Sequence, residues 1–263
     1  MKTFLIPPHW LERRLTVVVA GAGGTGSQVI DQLASLDSTL QALGHPGFDV
    51  SLHDRDTVSR WNLGRQRFCQ PDVGLPKATV LIHRINQFYG VHYKAVPNHL
   101  MVQAAGNCDL LLSCTDSAAF RLSVAKYYKQ RRTRALWMDF GNGSASAQCV
   151  MGHLSGVGTD RLPHVADLFG DLSPALDQDD APSCSMQEAL SRQPWPANRV
   201  VAIAGMTLIE RLMRQGQVST HGSVMQLDPY SVQPLAIDPV AWAMFGYTRS
   251  LRRRAKRASP LVA

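Results

Sequence analysis

The chain has 263 residues, 45% of them hydrophobic and 18% charged, with a formal net charge of +7. This composition is typical of a globular protein and excludes a long disordered chain. No apolar run reaches the roughly 18 residues that a membrane span needs, and the N-terminus lacks the apolar core of a secretory signal. We therefore expect a cytoplasmic protein. Much of the positive charge lies in 249–263, which we interpret as a solvated basic tail.

The first half of the chain alternates apolar strands with helical patterns. The predicted strands are Thr16–Ala20, Phe48–His53, Val91–Val96, Leu110–Ser113 and Ala135–Phe140, and the predicted helices are Gly24–Leu36, Lys77–Tyr89 and Ser117–Gln130, the last with Ser117 as N-cap. Between the first helix and the second strand, Ser35–Gly47 is expected to include a loop excursion. Alternation of this kind predicts an α/β fold with a doubly wound, mostly parallel sheet.

The second half is expected to extend the same domain. Ser144–His153 suits an antiparallel strand, 186–192 and Asn198–Met213 are helical patterns, and Val218–Leu227 with Val232–Ile237 suggests an antiparallel strand pair. An acidic segment interrupts this series, with at most one helical turn near Val165–Phe169. We therefore divide the chain into a Rossmann-like part (1–156), an acidic crossover loop (157–185), C-terminal helices and strands of the same domain (186–248) and the tail.

A glycine-rich turn joins the first predicted strand to the first predicted helix. Its glycines are Gly21, Gly23, Gly24 and Gly26, in the order Gly-x-Gly-Gly-x-Gly. Glycine here allows a tight turn, a close approach of the backbone to phosphate and close packing of the helix on the strand. The helix N-terminus also favours an anion. The sequence therefore predicts a site for nucleotide phosphates, although the turn alone suits NAD, FAD or ATP equally well.

Charged residues beyond the strand ends distinguish ATP from NAD. Asp54 and Asp56 end the second strand, and Asn62, Arg65, Lys77 and Asp116 follow at places where a doubly wound sheet binds ligands. Hydride transfer has no need of such cations, whereas attack of a carboxylate on the α-phosphate of ATP builds up negative charge that they would stabilise. We expect Arg65 and Lys77 to do so, Asn62 to donate to phosphate oxygens and Asp116 to hold Mg²⁺. Asp56 has two interpretations, a ligand contact or a turn cap.

These motifs resemble those of the ThiF/MoeB/HesA superfamily, the ubiquitin-activating-enzyme-like adenylyltransferases. The matching segments are 21–27, 54–58, 62–66, 72–77 and 114–121, the last with the pattern Cys-Thr-Asp-x-x-x-x-Arg. The resemblance implies that Asp54 binds ribose, that Asn62, Arg65 and Lys77 bind phosphates and that Asp116 engages magnesium. It also implies adenylation of the C-terminal glycine of a ubiquitin-like or sulfur-carrier protein. The C-terminal part looks like the ThiF-family protein of the bacterial PRTRC cassette.

Three departures from the superfamily pattern stand out. The paired Cys-x-x-Cys zinc ligands are missing, so we expect no structural zinc. Ser113 occupies the place of an acid before Cys-Thr-Asp. Arg13 and Arg14 lie so close to the first strand that we assign them no catalytic role.

The cysteines divide into one candidate nucleophile and four others. Cys184, in Pro182–Ser185, resembles the thioester-forming cysteine of ubiquitin-activating relatives, and a helix N-terminus would lower its pKa. An unreactive, partly buried cysteine is the alternative. We interpret the other four as reduced core residues: Cys69, Cys108, Cys114 and Cys149.

Other functions stay open from the sequence alone. They are adenylation of a small molecule or a tRNA base, NAD-dependent oxidoreduction, and a non-catalytic scaffold that binds ATP. The tail leaves a limited possibility of nucleic-acid binding. The helical pattern over 200–212 is apolar nearly all round, which suits burial in the fold or against a second subunit, and we therefore expect a homodimer.

Overall fold

The structure is a computed structural model, and it describes residues 2–143, 145–158, 161–170 and 196–248. Ten strands lie in these residues: β1 (Phe4–Leu5), β2 (Leu15–Ala20), β3 (Phe48–His53), β4 (Lys94–Val96), β5 (Leu110–Ser113), β6 (Leu136–Asn142), β7 (Ser146–His153), β8 (Gln217–Val218), β9 (Thr220–Leu227) and β10 (Tyr230–Ala236). Six α-helices accompany them: α1 (Gly24–Ala42), α2 (Lys77–Tyr89), α3 (Ala118–Tyr128), α4 (Val165–Leu168), α5 (Ala197–Gln215) and α6 (Pro239–Ala243).

Eight of the strands form one sheet, in the order β10-β9-β7-β6-β5-β2-β3-β4, while β1 pairs with β8 apart from it. Strands β2 to β6 run parallel, and β7, β9 and β10 continue the sheet antiparallel. The predicted α/β fold with a mostly parallel sheet and an antiparallel C-terminal extension is confirmed. Because β2, β3, β5 and β6 are parallel, the residues that follow them meet at one edge, here called the carboxyl edge.

The predicted loop excursion between the first helix and the second strand is wrong. Helix α1 continues to Ala42, so that the loop is only a few residues long. The physical reason is a buried anchor at Asp37, whose carboxylate accepts hydrogen bonds from the backbone N–H of Phe48 and the hydroxyl of Tyr93. Leu36 and Leu40 are buried on the same stretch of helix, and tertiary packing of this kind overrides the weak local signal.

The C-terminal elements cover the antiparallel half of the sheet. Helix α5 packs on α1 and on β6, β7 and β9, and the predicted strand pair is the antiparallel pair of β9 and β10. The single predicted helical turn near 165 is α4. Strand β10 forms the outer edge of the sheet and contains Pro234. The predicted helix 186–192, most of the acidic segment and the tail lie outside the described residues.

Among the described helices, none combines the length and the hydropathy needed to cross a membrane.

The largest fully buried side chains include Trp10, Trp137 and Trp242. The Nε1 atom of Trp242 donates to Nε2 of buried His221 at 2.8 Å, and Nδ1 of His221 lies 2.7 Å from the carbonyl oxygen of Met151. These contacts fix the tautomer of the histidine, with its proton on Nδ1.

Candidate active site

The glycine turn lies at the carboxyl edge, between β2 and α1, and its glycines have different physical roles. Gly21 has a φ of +97°, and a side chain there would lie 2.9 Å from the carbonyl oxygen of Cys114. A Cβ on Gly26 would run into the carbonyl oxygen of Gly21, so this glycine lets α1 sit close against the strand. Around Gly23, by contrast, a Cβ would meet no described atom within 4 Å. The turn is thus packed against other backbone atoms at Gly21 and Gly26, whereas it is open at Gly23, where space remains for a ligand.

The carboxylate of Asp54 ties this turn to the end of β3. Its Oδ2 accepts a hydrogen bond from the backbone N–H of Ala22 at 2.6 Å, and its Oδ1 accepts one from the backbone N–H of Asp56 at 2.8 Å. A carboxylate accepts up to about four hydrogen bonds, so Asp54 retains capacity for a ribose hydroxyl beside the glycine turn. Its position agrees with the expectation from the sequence, and ribose binding itself stays a prediction.

Lys77 and Asp56 form an ion pair at the same edge. The Nζ atom of Lys77 lies 3.0 Å from Oδ2 of Asp56, and the backbone N–H of Lys77 donates to the carbonyl oxygen of Asp56. The lysine is buried at the N-terminus of α2, where the helix dipole disfavours a cation. Asp56, which is exposed, supplies a compensating anion for this lysine. Of its two interpretations from the sequence, a ligand contact stays a prediction.

Asn62 and Arg65 lie in the irregular segment between β3 and α2. Asn62 ends a short 3-10 helix, Arg60–Asn62, and its Oδ1 accepts a hydrogen bond from the backbone N–H of Ser59 at 2.8 Å. Arg65 follows within the next turn and is half-buried. The side-chain oxygen of Asn62 therefore caps the local turn, while a phosphate contact from its amide nitrogen stays a prediction. The same holds for the phosphate role of Arg65.

Asp116 follows β5, and a buried arginine holds its backbone. Arg121 donates from Nη2 to the carbonyl oxygen of Thr115 at 2.6 Å and from Nη1 to that of Asp116 at 3.4 Å. Its Nε contacts Oδ1 of buried Asp139 at 2.8 Å. Burial opposes the charge of Arg121, but the carboxylate of Asp139 outweighs it and raises the pKa of the arginine. The carboxylate of Asp116 is left exposed at the edge.

Asp139 also explains the serine that replaces an acid before Cys-Thr-Asp. The hydroxyl of Ser113 donates to Oδ1 of Asp139 at 2.5 Å and accepts from Nε1 of Trp137 at 2.6 Å. The neighbouring strand β6 thus supplies the carboxylate that pairs with Arg121. Sequence reasoning included Arg121 only as a motif position and missed Asp139, because their pairing depends on the register of β5 and β6.

Three polar residues at the start of α1, the end of β6 and the start of α5 were also missed as a group. The hydroxyl of Thr25 donates to Oδ1 of Asn198 at 2.8 Å and lies 3.3 Å from Oδ1 of Asn142. We call Thr25, Asn142 and Asn198 the amide cluster. One signal was available, since Asn142 stands between two glycines at a strand end that faces the carboxyl edge.

The four described cysteines are free thiols, in agreement with the expectation of reduced cysteines. Burial raises the pKa of Cys108 to about 12 and also raises the pKa values of Cys114 and Cys149, so these thiols stay protonated. The interpretation of Cys69 as a core residue is wrong: it is exposed, in a turn where Arg84 donates to its sulfur at 3.0 Å. The candidate nucleophile Cys184 lies outside the described residues.

Two further arginines belong to the framework. Arg13 forms a bidentate ion pair with Asp109, at 2.6 and 2.9 Å, where β2 and β5 begin, which is the edge opposite the glycine turn. Arg67 pairs with Asp31 of α1 at 3.1 Å.

The described part of the chain contains no group of three or more His, Cys, Asp or Glu side chains that could hold a metal ion.

A profile of the ThiF family matches residues 12–240. The chain belongs to the ThiF family. Its sequence is 33% identical over 118 residues to the adenylyltransferase and sulfurtransferase UBA4 of Yarrowia lipolytica, a match that spans 43% of this chain and 27% of UBA4. It is 37% identical over 71 residues to the NEDD8-activating enzyme E1 catalytic subunit of Saccharomyces cerevisiae, across 27% of this chain and 21% of that protein.

Solved structures share the fold of this ThiF-family chain. E. coli MccB with MccA-N7isoASN superposes with a TM-score of 0.61 at 18% identity, over 85% of this chain and 64% of MccB. PaaA gives a TM-score of 0.54 at 14% identity, over 85% and 64% of the two chains. The ThiF-family chain therefore spans about a quarter of the curated relatives it matches and somewhat less than two thirds of MccB and PaaA. A specific closeness to the PRTRC protein stays a prediction.

Proposed function

We propose that this chain is an ATP-dependent adenylyltransferase that acts on the C-terminal glycine carboxylate of a ubiquitin-like or sulfur-carrier protein. A carboxylate oxygen attacks the α-phosphorus of ATP, the bond between the α-phosphorus and the bridging oxygen breaks, and pyrophosphate leaves as an acyl adenylate forms. The observation that carries the proposal is the glycine turn, open at Gly23, with Asp54 hydrogen-bonded to its backbone and Lys77 buried at the same edge. Family membership supports it.

Each predicted site residue has a role in this reaction. Backbone N–H groups around Gly23 and the N-terminus of α1 receive the phosphates, and Asp54 receives a ribose hydroxyl. Lys77, Arg65 and Asn62 stabilise the charge that develops on the α-phosphate and on pyrophosphate. When ATP binds, the ammonium group of Lys77 leaves the exposed carboxylate of Asp56 and contacts phosphate instead.

Magnesium fits the exposed carboxylate of Asp116, because Mg²⁺ prefers oxygen ligands and keeps several waters and substrate phosphate oxygens around one or two carboxylates. The buried Arg121 fixes the backbone that carries this carboxylate. When bound, the ion would neutralise phosphate charge. The family pattern supports Asp116 as its protein ligand.

We also propose that Cys184 accepts the acyl group as a thioester. Its thiolate would attack the acyl carbon of the adenylate, and AMP would leave. The support is the Pro-Ser-Cys-Ser pattern of 182–185. Mass spectrometry of the chain with ATP, magnesium and a candidate carrier protein tests this step. The wild type should gain the mass of the carrier minus water, and Cys184→Ala should release adenylate without that adduct.

ATP–pyrophosphate exchange tests the reaction itself. The chain is mixed with ATP, magnesium, labelled pyrophosphate and small proteins that end in glycine and are encoded beside it. Exchange that depends on the carrier's free C-terminus is the expected result. Exchange with a small carboxylate or a tRNA, but not with any carrier, would instead favour the alternative substrates. ATP binding without exchange would favour the scaffold.

The assembly that we propose is a cytoplasmic homodimer. Most apolar side chains of helix α5 are buried in the fold, whereas Ile203 is 57% exposed although its neighbours Val201 and Ala202 are buried. An exposed isoleucine on a helix of this length suits a subunit contact. Sedimentation analysis should give a dimer for the wild type and a monomer for Ile203→Glu.

A further inference from the structure

The amide cluster joins three parts of the chain that are distant in sequence. Thr25 lies in the first turn of α1, directly after Gly24, while Asn142 ends β6 and Asn198 begins α5. The hydroxyl of Thr25 has one hydrogen to donate, and the shorter of its two contacts, 2.8 Å, goes to Oδ1 of Asn198. Both amide oxygens thus face Thr25.

The nitrogen ends of the two amides have no hydrogen-bond acceptor among the described residues. The Nδ2 atoms of Asn142 and Asn198 are buried, and Asn198 as a whole is only 3% exposed. A buried donor without a partner destabilises the folded protein, so natural proteins rarely keep such donors without a use. Here two such donors belong to carboxamides whose oxygens contact the same hydroxyl.

The position of these donors connects them to the nucleotide site. A Cβ placed on Gly24 would lie 2.5 Å from Nδ2 of Asn198 and 2.8 Å from the carbon of the same amide, so this amide lies flat against the glycine turn. Gly23, one residue earlier, is the open point of that turn. Asn142 reaches the cluster from the carboxyl end of β6, beside β5, which leads to Asp116.

We propose that Asn142 and Asn198 form the subsite that binds the attacking carboxylate of the acyl substrate. This inference rests on the proposed function, and it names residues outside the nucleotide-binding motifs. Two neutral N–H donors hold a carboxylate through hydrogen bonds alone. A full positive charge in their place would stabilise the bound carboxylate in the ground state at least as strongly as in the transition state, and so would not speed the reaction. Thr25 orients Asn198 for this purpose and is a positioning residue. The glycine at position 24 leaves room for the amide.

Binding of a short synthetic peptide ending in Gly-Gly tests the subsite. Its dissociation constant is measured by calorimetry in the presence of saturating α,β-methylene ATP and magnesium, beside the same peptide with a C-terminal amide. The variants are Asn198→Leu and Asn142→Leu, which keep nearly the same shape and remove the donors. The matched control is Asn107→Leu, an exposed asparagine before the amino end of β5. Thermal unfolding checks that each variant is folded.

We expect the wild type to bind the peptide acid more tightly than the peptide amide. Each asparagine variant should weaken binding of the acid about tenfold, as expected for a lost hydrogen bond to a charged group. Affinity for the nucleotide analogue, measured without peptide, should stay unchanged, and Asn107→Leu should behave as the wild type. The two asparagine variants are independent, so a folding failure of one leaves the other to decide.

Three results would overturn the subsite: equal binding of acid and amide by the wild type, unchanged affinity for the acid in the folded asparagine variants, or an equal loss of affinity for the nucleotide analogue, which would assign the amides to phosphate. Failure of the proposed function gives a different result, because the wild type would then show no carrier-dependent ATP–pyrophosphate exchange, whatever the affinities of the asparagine variants for the peptide.

Discussion

The ammonium group of Lys77 lies 3.0 Å from Oδ2 of Asp56, and the two side chains differ strongly in exposure. The side chain of the lysine is 9% exposed and that of the aspartate is 55% exposed. A half-exposed carboxylate in such a pair contributes little to stability, since water competes for it. Asp56 can therefore turn into solvent at small cost, whereas the lysine remains in place with its charge directed to the carboxyl edge.

Replacing Lys77 by Met should remove a charge needed for the reaction and keep the buried apolar stem. We expect ATP–pyrophosphate exchange to fall about 100- to 1,000-fold, the usual cost of losing a fixed group that stabilises developing charge. Asp56→Asn, which leaves the lysine in place, is the matched control and should keep exchange within about tenfold of the wild type. Comparable rates for Lys77→Met and the wild type would remove this lysine from the mechanism.

The glycine turn allows a test that separates folding from binding. Gly26→Ala should destabilise the protein by about 1–3 kcal/mol, because its methyl group would run into the carbonyl oxygen of Gly21. Gly23→Ala should unfold at the same urea concentration as the wild type, since no described atom lies within 4 Å of the new methyl group, yet it should bind ATP more weakly. If Gly23→Ala bound ATP normally, phosphate would have to bind elsewhere.

The buried pair of Arg121 and Asp139 should be sensitive to removal of the cation. Arg121→Met leaves the carboxylate of Asp139 buried without its ion-pair partner, and we expect a loss of about 3–5 kcal/mol in the free energy of unfolding, measured by urea titration. The control is Arg214→Ala on the exposed face of α5, where the pair with Glu210 should contribute less than about 0.5 kcal/mol. Similar losses for the two variants would contradict the buried role.

Stability should fall as the pH drops from about 6.5 towards 4. Burial lowers the pKa of His221 to about 4, and burial together with the charge of Arg161 lowers that of His153 to about 4. The unfolded chain then binds more protons than the folded one in this interval, so protonation favours unfolding. The protonation of His221 alone should lower the free energy of unfolding by about 3 kcal/mol over this interval.

His221→Gln tests the source of this pH dependence, because an amide can accept from Trp242 and donate to Met151 without titrating. Urea titrations at pH 7 and pH 4.5 should show a smaller loss of stability for this variant than for the wild type. His99→Gln, at an exposed position, is the control and should follow the wild type. An unchanged pH dependence in His221→Gln would assign the effect to other groups.

The sequence predicts the parallel half of this fold well because its signals are local. Runs of apolar residues mark β2 and β5, and alternation of apolar and polar residues marks β3. The glycines between β2 and α1 have a direct steric role at Gly21 and Gly26. The end of α1 could not be predicted in this way. Its last turns depend on Asp37, which binds groups from β3 and from Tyr93, far along the chain.

The candidate site divides along the same line. Motif spacing alone makes Asp54 and Lys77 site candidates, because family patterns record which residues follow which strand, and their roles stay predictions. The buried contacts behind the site could not be identified in this way, since the pairing of Asp139 with Arg121 and the contact of Asn198 with Thr25 arise from strand register and helix packing. Pairwise contacts over such sequence separations leave no periodic signal in a single chain.

The outermost strand has a consequence for assembly. Pro234 lies within β10, opposite Ser223 of β9, and has no N–H to donate. Proline occurs in edge strands with its nitrogen on the side that faces away from the neighbouring strand. A foreign strand laid along the free side of β10 would find its row of donors interrupted midway. Growth of the sheet by edge-to-edge addition is therefore disfavoured in this direction, which protects the exposed Tyr230 and Val232 from recruiting extended segments of other molecules.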